Sequence, residues 1–436
     1  MRVLVLGGGA REHALAWRLA RDEEVDEVLI APGNGGTPAV ATTIADLPIT
    51  DPAAVARHAA RERYDLVVIG PEAPLAAGVA DALAAASVPV FGPSQGAARL
   101  ESSKAFAKEM LLASGVPTAR SAAFGDAEAA IAHARSLERP PVVKADWLAA
   151  GKGVVVPDTH EEAADAIRAL LDGAPRGARL LLEERLDGRE VSVFALVSGS
   201  QVAPLAAACD YKRLGDRDSG PNTGGMGGYA PVPWFGSAAV ERAAESIFEP
   251  IAWRMARDGT PYRGVLYAGL MLTEAGPQVL EFNARFGDPE AQVLLPLLDG
   301  SLTEAMRAVA AGDGTGMREA VGMRAGAAAV GVVVAAPGYP DAPLAGGRLG
   351  GAEPSGPDDG GPLLCFHAGT RQGGDGYAAS GGRVVTFVGI GGTLAEARQI
   401  AYRGTAGCTL EGAQRREDIA ARELSGEALQ VSPAGR

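Results

Sequence analysis

Residues 141–156 read PVVKADWLAAGKGVVV: an apolar run ending in Lys144, a loop of small residues, and a second apolar run opened by Gly151-Lys152-Gly153. Short β-branched runs of this length predict buried strands, so the unit is strand, flexible loop, strand, with an ammonium group at each end. Such a loop can fold over a polyphosphate and neutralise it as a lid. It is not a Walker A loop, which needs a helix after Gly-Lys-Ser/Thr. Only five of the forty basic residues are lysines, namely Lys104, Lys108, Lys144, Lys152 and Lys212. In a chain that otherwise writes positive charge as Arg, Lys marks places where a compact, flexible ammonium suits a phosphate. Lys108, in the helical stretch SSKAFAKEMLLASG, reads instead as a charge on a solvated helix face.

Upstream, short apolar runs alternate with helical patterns: Val3 to Leu6, a helix from about Glu12, Val28 to Ala31, a helix near Pro52 to Glu62, Leu66 to Ile69, a helix near 76–86, and Pro89 to Gly92. Strands separated by crossover helices predict a parallel sheet with ligands at its carboxyl edge. The loops Gly7-Gly8-Gly9, Pro32 to Gly36 and Gly70 to Pro74 would open onto one crevice. A dinucleotide fingerprint is weak here, because Glu12 stands where the third, packing glycine belongs and Ala31-Pro32-Gly33 replaces the ribose-binding acid. Glycine amides at a helix start can still cradle one phosphate, and tight turns alone would also explain them.

Downstream, strands are expected at Arg179 to Glu184, Val265 to Leu272 and Gln278 to Asn283, with a helix at about 160–172. A last block holds strands near Val330 to Ala335, Leu364 to Ala368 and Val384 to Ile390, then a helix from Leu394 to Tyr402. At 436 residues the chain exceeds one core and predicts about three domains. A net charge of −13 and a pI near 5.0 argue against a nucleic-acid partner, so anionic ligands must be small and locally gripped. Cys209, Cys365 and Cys408 are odd in number and lack His at metal-site spacing, which fits core thiols in a reducing compartment. The opening apolar run is too short for a signal h-region, and the longest apolar stretch, Ala325 to Ala336, is too short to cross a bilayer. A cytoplasmic protein without a membrane partner is expected.

In Val279-Leu280-Glu281-Phe282-Asn283, strand alternation puts Glu281 and Asn283 on one face and Leu280 and Phe282 on the other. Two oxygen ligands at this spacing, with phosphates supplying others, suit Mg²⁺. Arg285 could clamp a substrate carboxylate and stabilise charge during phosphoryl transfer. Glu183 could face an adenine edge and Glu190 a ribose hydroxyl. Solvated acids on an edge strand are the alternative for both.

These residues complete a resemblance that runs nearly end to end. Gly8 to Leu15, Pro32 to Thr37, Gly70 to Leu75, Ser103 to Phe106, Leu148 to Gly153, Gly220 to Gly227, Glu281 to Gln292 (EFNARFGDPEAQ), His367 to Thr370 and Ser380 to Val384 together resemble the phosphoribosylamine-glycine ligases, ATP-grasp enzymes of early purine synthesis. The resemblance implies an α/β fold in three parts. These are an N-terminal parallel-sheet (Rossmann-like) domain at 1–102, a central ATP-grasp domain at 103–322 with a lid subdomain at about 120–190, and a C-terminal mixed α+β domain at 323–436. It implies ATP-dependent amide formation between glycine and 5-phosphoribosylamine, with Mg²⁺ (or Mn²⁺) on Glu281 and Asn283. Lys104, Lys144 and Lys152 would hold the triphosphate, and Arg285 and Asp288 would lie beside the substrates. Asp210 would meet the amino-acid ammonium, Lys212 and Arg213 would help neutralise phosphates, and Asn34 and Glu72 are candidates for the phosphoribosyl group. A monomer or weak dimer is expected.

The chain also departs from the family pattern. Trp147 replaces a Gly in the lid loop, where a position needing φ > 0 would be strained. Cys209 and Tyr211 replace Gln and His in the expected amino-acid site. Arg185 and Arg189 replace Phe and Glu, and Gln414 to Ala420 lacks the usual Tyr and Gly. These changes leave open a paralogous carboxylate-amine ligase with other substrates, or a nucleotide-binding module without turnover.

Overall fold

The computed structural model describes residues 1–149 and 153–425. Strands β1 (Arg2–Gly7), β2 (Glu27–Pro32), β3 (Thr42–Thr43), β4 (Leu66–Ile69) and β5 (Val90–Phe91) form a parallel sheet in the order β3-β2-β1-β4-β5. Their apolar runs are buried throughout in β1 and β4, as crossover helices on both faces require. The strand order reverses at β1, and the three glycine-containing loops open at that switch point. A Cβ on Gly8 would stand 2.5 Å from the Gly33 carbonyl oxygen, so glycine lets two of these loops nest. The helix expected near 76–86 is two helices, Glu72–Ala77 and Val79–Ala85, divided at Gly78, whose φ of +86° terminates the first.

The lid sheet contains β6 (Ser121–Phe124), β7 (Val142–Ala145), β8 (Val154–Val155) and β9 (Leu180–Glu183) in the order β6-β9-β7-β8. Helices Ala127–Ser136 and His160–Asp172 bury Ile131 and Ile167 against Val143, Leu180 and Leu182. Alternation therefore turns Lys144 and Glu183 to the opposite face.

The body of the protein is built from β10 (Arg189–Gly199), β11 (Gln201–Asp210), the hairpin β12 (Arg213–Gly215) and β13 (Ser219–Asn222), β14 (Gly227–Ala230), β15 (Tyr262–Thr273) and β16 (Gly276–Asn283). A small pair, β17 (Leu298–Gly300) and β18 (Val321–Met323), precedes β19 (Ala328–Ala335), β20 (Arg348–Leu349), β21 (Leu363–His367), β22 (Thr370–Gly373), β23 (Gly376–Ala379) and β24 (Arg383–Gly391). One antiparallel sheet runs β16-β15-β10-β11-β14-β19-β24-β21, so strands of the last sequence block extend the sheet that carries Glu281. The long β10–β11 hairpin escaped sequence reading because its interior is buried on both faces and rich in Ala, leaving no alternation to detect.

Candidate functional site

The parallel-sheet loops, the lid and the eight-stranded sheet face a shared cleft of about 1130 Å³. Lys104, Lys144, Glu183, Glu190, Asp210, Lys212, Arg213, Glu281, Asn283, Arg285, Asp288 and Glu72 all line it. Lys152 lies outside the described residues, and Asn34 is set back from the cleft wall.

On the lid side, the Lys144 ammonium donates to the Leu280 carbonyl at 3.1 Å and lies 2.9 Å from Glu183 Oε2. Lys108 approaches the same oxygen at 3.2 Å and donates to Thr118 Oγ1 at 2.7 Å. It is only 6% exposed, which corrects its reading as a solvated helix-face charge. Burial lowers its pKa, and Glu183 counters that effect. The detectable signal was its position one turn after Lys104, on the same helix face. The Glu183 carboxylate is thus taken up by two ammonium groups, leaving its backbone to offer an adenine edge. Lys104 opens the helix Lys104–Ala113, capped by Ser103. Asp146, from the lid loop, accepts from Ser103 Oγ at 3.0 Å and from the Ala105 N–H at 2.9 Å, which pins the loop to that helix start.

On the sheet side, β16 presents Glu281 and Asn283 while Phe282 is buried behind them. Burial pushes the Glu281 pKa up, but Lys212, Lys104, Lys144 and Arg285 outweigh it and hold the carboxyl below its usual range. Among the described residues its carboxylate takes no hydrogen bond. Asn283 Oδ1 accepts from Arg285 at 3.2 Å. Lys212 pairs with Glu190 at 2.8 Å and keeps 38% of its side chain open to the cleft. Burial deep in the site outweighs Lys212 and pushes the Asp210 carboxyl up to about 7, with Glu290 and Glu190 adding to the rise. Arg213 donates to the Gly220 carbonyl at 2.7 Å within the β12–β13 hairpin.

At the domain junction Arg285 pairs with Glu101 at 2.9 Å and stands 3.6 Å from Glu72. Its Nε–H is buried without a hydrogen-bond acceptor, the Glu72 carboxylate standing just beyond hydrogen-bond reach. Burial opposes its charge, yet Glu101 and Glu72 raise its pKa further. Sequence reading missed Glu101, which also accepts from the Ala284 N–H at 2.8 Å; its place three residues before Lys104 was the available hint. Asp288 is held by Arg383 at 2.9 Å and by Gln292 at 2.6 Å. Asn34 spends its amide inside the fold: Nδ2 donates to the His367 and Gly8 carbonyls, and Oδ1 accepts from the Gly36 N–H.

The departures from the family pattern also find places. Trp147 is not in the left-handed region, so the expected strain is absent; its indole packs on the lid core instead. Cys209 and Tyr211 both border the cleft, with their polar atoms engaged within the fold. The Cys209 thiol approaches the Glu190 carbonyl at 3.6 Å, and the Tyr211 hydroxyl accepts from the Ala420 N–H at 2.9 Å.

A two-layer grip on a polyphosphate-sized cleft, with Lys144 on the lid sheet and metal-capable oxygens of Glu281 and Asn283 on the opposing sheet, defines an ATP-grasp enzyme. The phosphoribosylglycinamide synthetase N domain matches residues 1–101, its ATP-grasp (A) domain residues 102–291 and its C domain residues 329–422. The chain belongs to that family. It is 47% identical to a phosphoribosylamine--glycine ligase of Streptomyces coelicolor, over 97% of this chain and 99% of the relative. The crystal structure of phosphoribosylamine--glycine ligase from Thermotoga maritima superposes with a TM-score of 0.82 at 34% identity, covering 96% of this chain and all of that one. A biotin carboxylase from Campylobacter jejuni shares the fold at 16% identity, with a TM-score of 0.71 over 95% of this chain and 92% of that one. No helix among the described residues is long and apolar enough to cross a membrane.

Proposed function

We propose that the chain joins the carboxylate of glycine to the amine of 5-phosphoribosylamine, converting ATP to ADP and phosphate. Membership in a family of ATP-dependent ligases supplies the reaction class, and the shared cleft supplies the means. Lys104 and Lys144 take the phosphate charge from the lid side, joined by Lys152. Glu190 accepts from the ribose hydroxyls, and Lys212 and Arg213 sit where they neutralise phosphate oxygens.

The observation that carries the reading is the pairing of Glu281 and Asn283 with Arg285. Among the described residues no cluster of three His, Cys, Asp or Glu could hold a metal by itself. A lone ionised carboxylate beside an amide oxygen fits a hard divalent ion that takes its remaining ligands from phosphates and water. Glu281 and Asn283 would therefore hold Mg²⁺ or Mn²⁺, which would screen the triphosphate and polarise its terminal phosphorus. Arg285 orients the glycine carboxylate, and Asp210 receives the glycine ammonium.

In this geometry a glycine carboxylate oxygen attacks the γ-phosphorus, the bond to the bridging oxygen breaks, and ADP departs from a glycyl phosphate. The phosphoribosyl amine, held in the first-domain crevice beside Glu72 with Asn34 shaping the loop, then attacks the acyl carbon and expels phosphate. No side-chain nucleophile takes part.

The test is ADP release with the purified chain, Mg²⁺ and ATP. Turnover should require glycine and 5-phosphoribosylamine together and should be lost when other amino acids replace glycine. Equal turnover with a second amino acid, or none with glycine, rejects the assignment.

A further inference from the structure

The segment from Arg416 to Glu423 crosses the ends of β10 and β11 and grips both. Tyr211 accepts the Ala420 N–H at 2.9 Å, and the Arg416 guanidinium lies 4.6 Å from the centre of its ring. Arg416 is fully buried and locked by Asp418 at 2.7 Å and Asp218 at 2.8 Å. The second grip joins Arg189 to Glu423 at 2.7 Å. The same Glu423 oxygen accepts from the Tyr229 hydroxyl at 2.9 Å, and the Arg189 guanidinium stacks 3.8 Å from the Trp234 ring centre.

Each grip is adjacent in sequence to residues of the cleft. Arg189 precedes Glu190, and Tyr211 lies between Asp210 and Lys212. Glu190 and Lys212 themselves meet at 2.8 Å across the strand pair. The segment thus holds the two chain ends that set the spacing of three cleft residues, and Arg189, Tyr211 and Glu423 themselves border the cleft.

Three of the residues making these contacts, Arg189, Tyr211 and Ala420, depart from the family pattern. Ala420 sits at φ +60°, where a Cβ is disfavoured, in a segment that lacks a glycine of the family pattern. In that conformation its N–H reaches Tyr211. Arg189, where the pattern has Glu, gains its acid partner from Glu423.

We propose that residues 416–424 form a positioning strap, in which Tyr211, Arg189 and Glu423 set the affinity for nucleotide and amino acid by fixing Glu190, Asp210 and Lys212. In this role they are positioning residues, acting through Glu190, Asp210 and Lys212. The inference rests on the roles proposed above for the three cleft residues.

Steady-state kinetics with each substrate varied in turn, alongside calorimetric titration of MgATP and thermal unfolding, test the strap. Tyr211→Phe and Glu423→Gln should raise the KM for ATP and glycine about 5- to 30-fold, the effect of losing one buried hydrogen bond to a charged or strained group. The KM for 5-phosphoribosylamine should stay unchanged and kcat should stay within about twofold. Arg189→Glu should weaken MgATP binding, and the reversed pair Arg189→Glu with Glu423→Arg should restore most of it. The strap is refuted if all three KM values move together, if only the unfolding temperature falls, or if the reversed pair binds MgATP no better than Arg189→Glu. Calorimetry needs no turnover, so a wild type that fails to use glycine rejects the ligase assignment while the strap is still decided by MgATP affinity.

Discussion

The Lys144 ammonium reaches the Leu280 carbonyl at 3.1 Å, tying the lid sheet to the strand whose next residue is Glu281. The same ammonium is held by Glu183, which also holds Lys108. Lys144 is therefore the stitch that registers lid against sheet, in addition to the phosphate-binding role proposed for it. Lys144→Met should lower kcat/KM for ATP by about 10²- to 10³-fold, as expected for losing one preorganised charge at developing phosphoryl charge. Lys144→Arg should recover little, because a planar guanidinium cannot satisfy the carbonyl and Glu183 from the same point. Initial rates over a range of ATP concentrations check both, and near-normal kcat/KM in Lys144→Met would reject the role.

Glu281 is kept ionised by four surrounding cations while no described residue hydrogen-bonds to it. Glu281→Ala should reduce turnover about 10³-fold at millimolar Mg²⁺, and raising Mg²⁺ should recover only part of it. Glu281→Gln should behave similarly, since shape is retained and only the anionic oxygen is lost. A Mg²⁺ titration of activity is the measurement, with normal rates in either variant excluding a metal ligand at this position.

The parts legible from sequence were those where chemistry forces a residue type. Lys144 at the end of the strand before the lid loop, the alternating Glu281 and Asn283, and uninterrupted apolar runs in β1 and β4 each follow from a local rule. Lys108 was misread because a buried lysine and an exposed one look alike until its partner is known, and Glu183 is 75 positions away. The β10–β11 hairpin was missed because burial on both faces erases alternation, and the continuity of β14 with β19 spans about a hundred residues that no local pattern connects. Trp147 was expected to be strained because only its identity, and not its φ, is written in the sequence.

Trp147→Gly follows from that last correction. The backbone at this position does not need glycine, and the partly buried indole packs against the lid core. Removing a partly buried aromatic side chain and adding backbone entropy should destabilise the lid by about 1–3 kcal/mol. The expected outcome is a higher KM for ATP and earlier proteolysis within residues 120–190, with the rest of the chain unaffected. An increase in activity, accompanied by unchanged protease resistance, would show that the indole hinders closure.

Asp210 links pH to both activity and stability, in opposite directions. Its carboxyl titrates near 7 because the cleft disfavours its charge despite Lys212. A raised carboxyl pKa means that the folded state prefers the proton. The stability it contributes is therefore complete below the ordinary aspartate value near 4 and is lost as pH rises through about 7. The glycine ammonium needs the ionised form, so kcat/KM for glycine should climb with pH and level off above about 7. Asp210→Asn should abolish that limb and sharply raise the KM for glycine, yet leave the unfolding temperature at pH 8 equal to or above wild type. Parallel pH profiles of glycine kcat/KM and of thermal unfolding decide the matter. An acid limb that persists unchanged in Asp210→Asn would assign it to another group, and a large fall in stability at pH 8 would mean that the charge supports the fold instead of serving the amino acid.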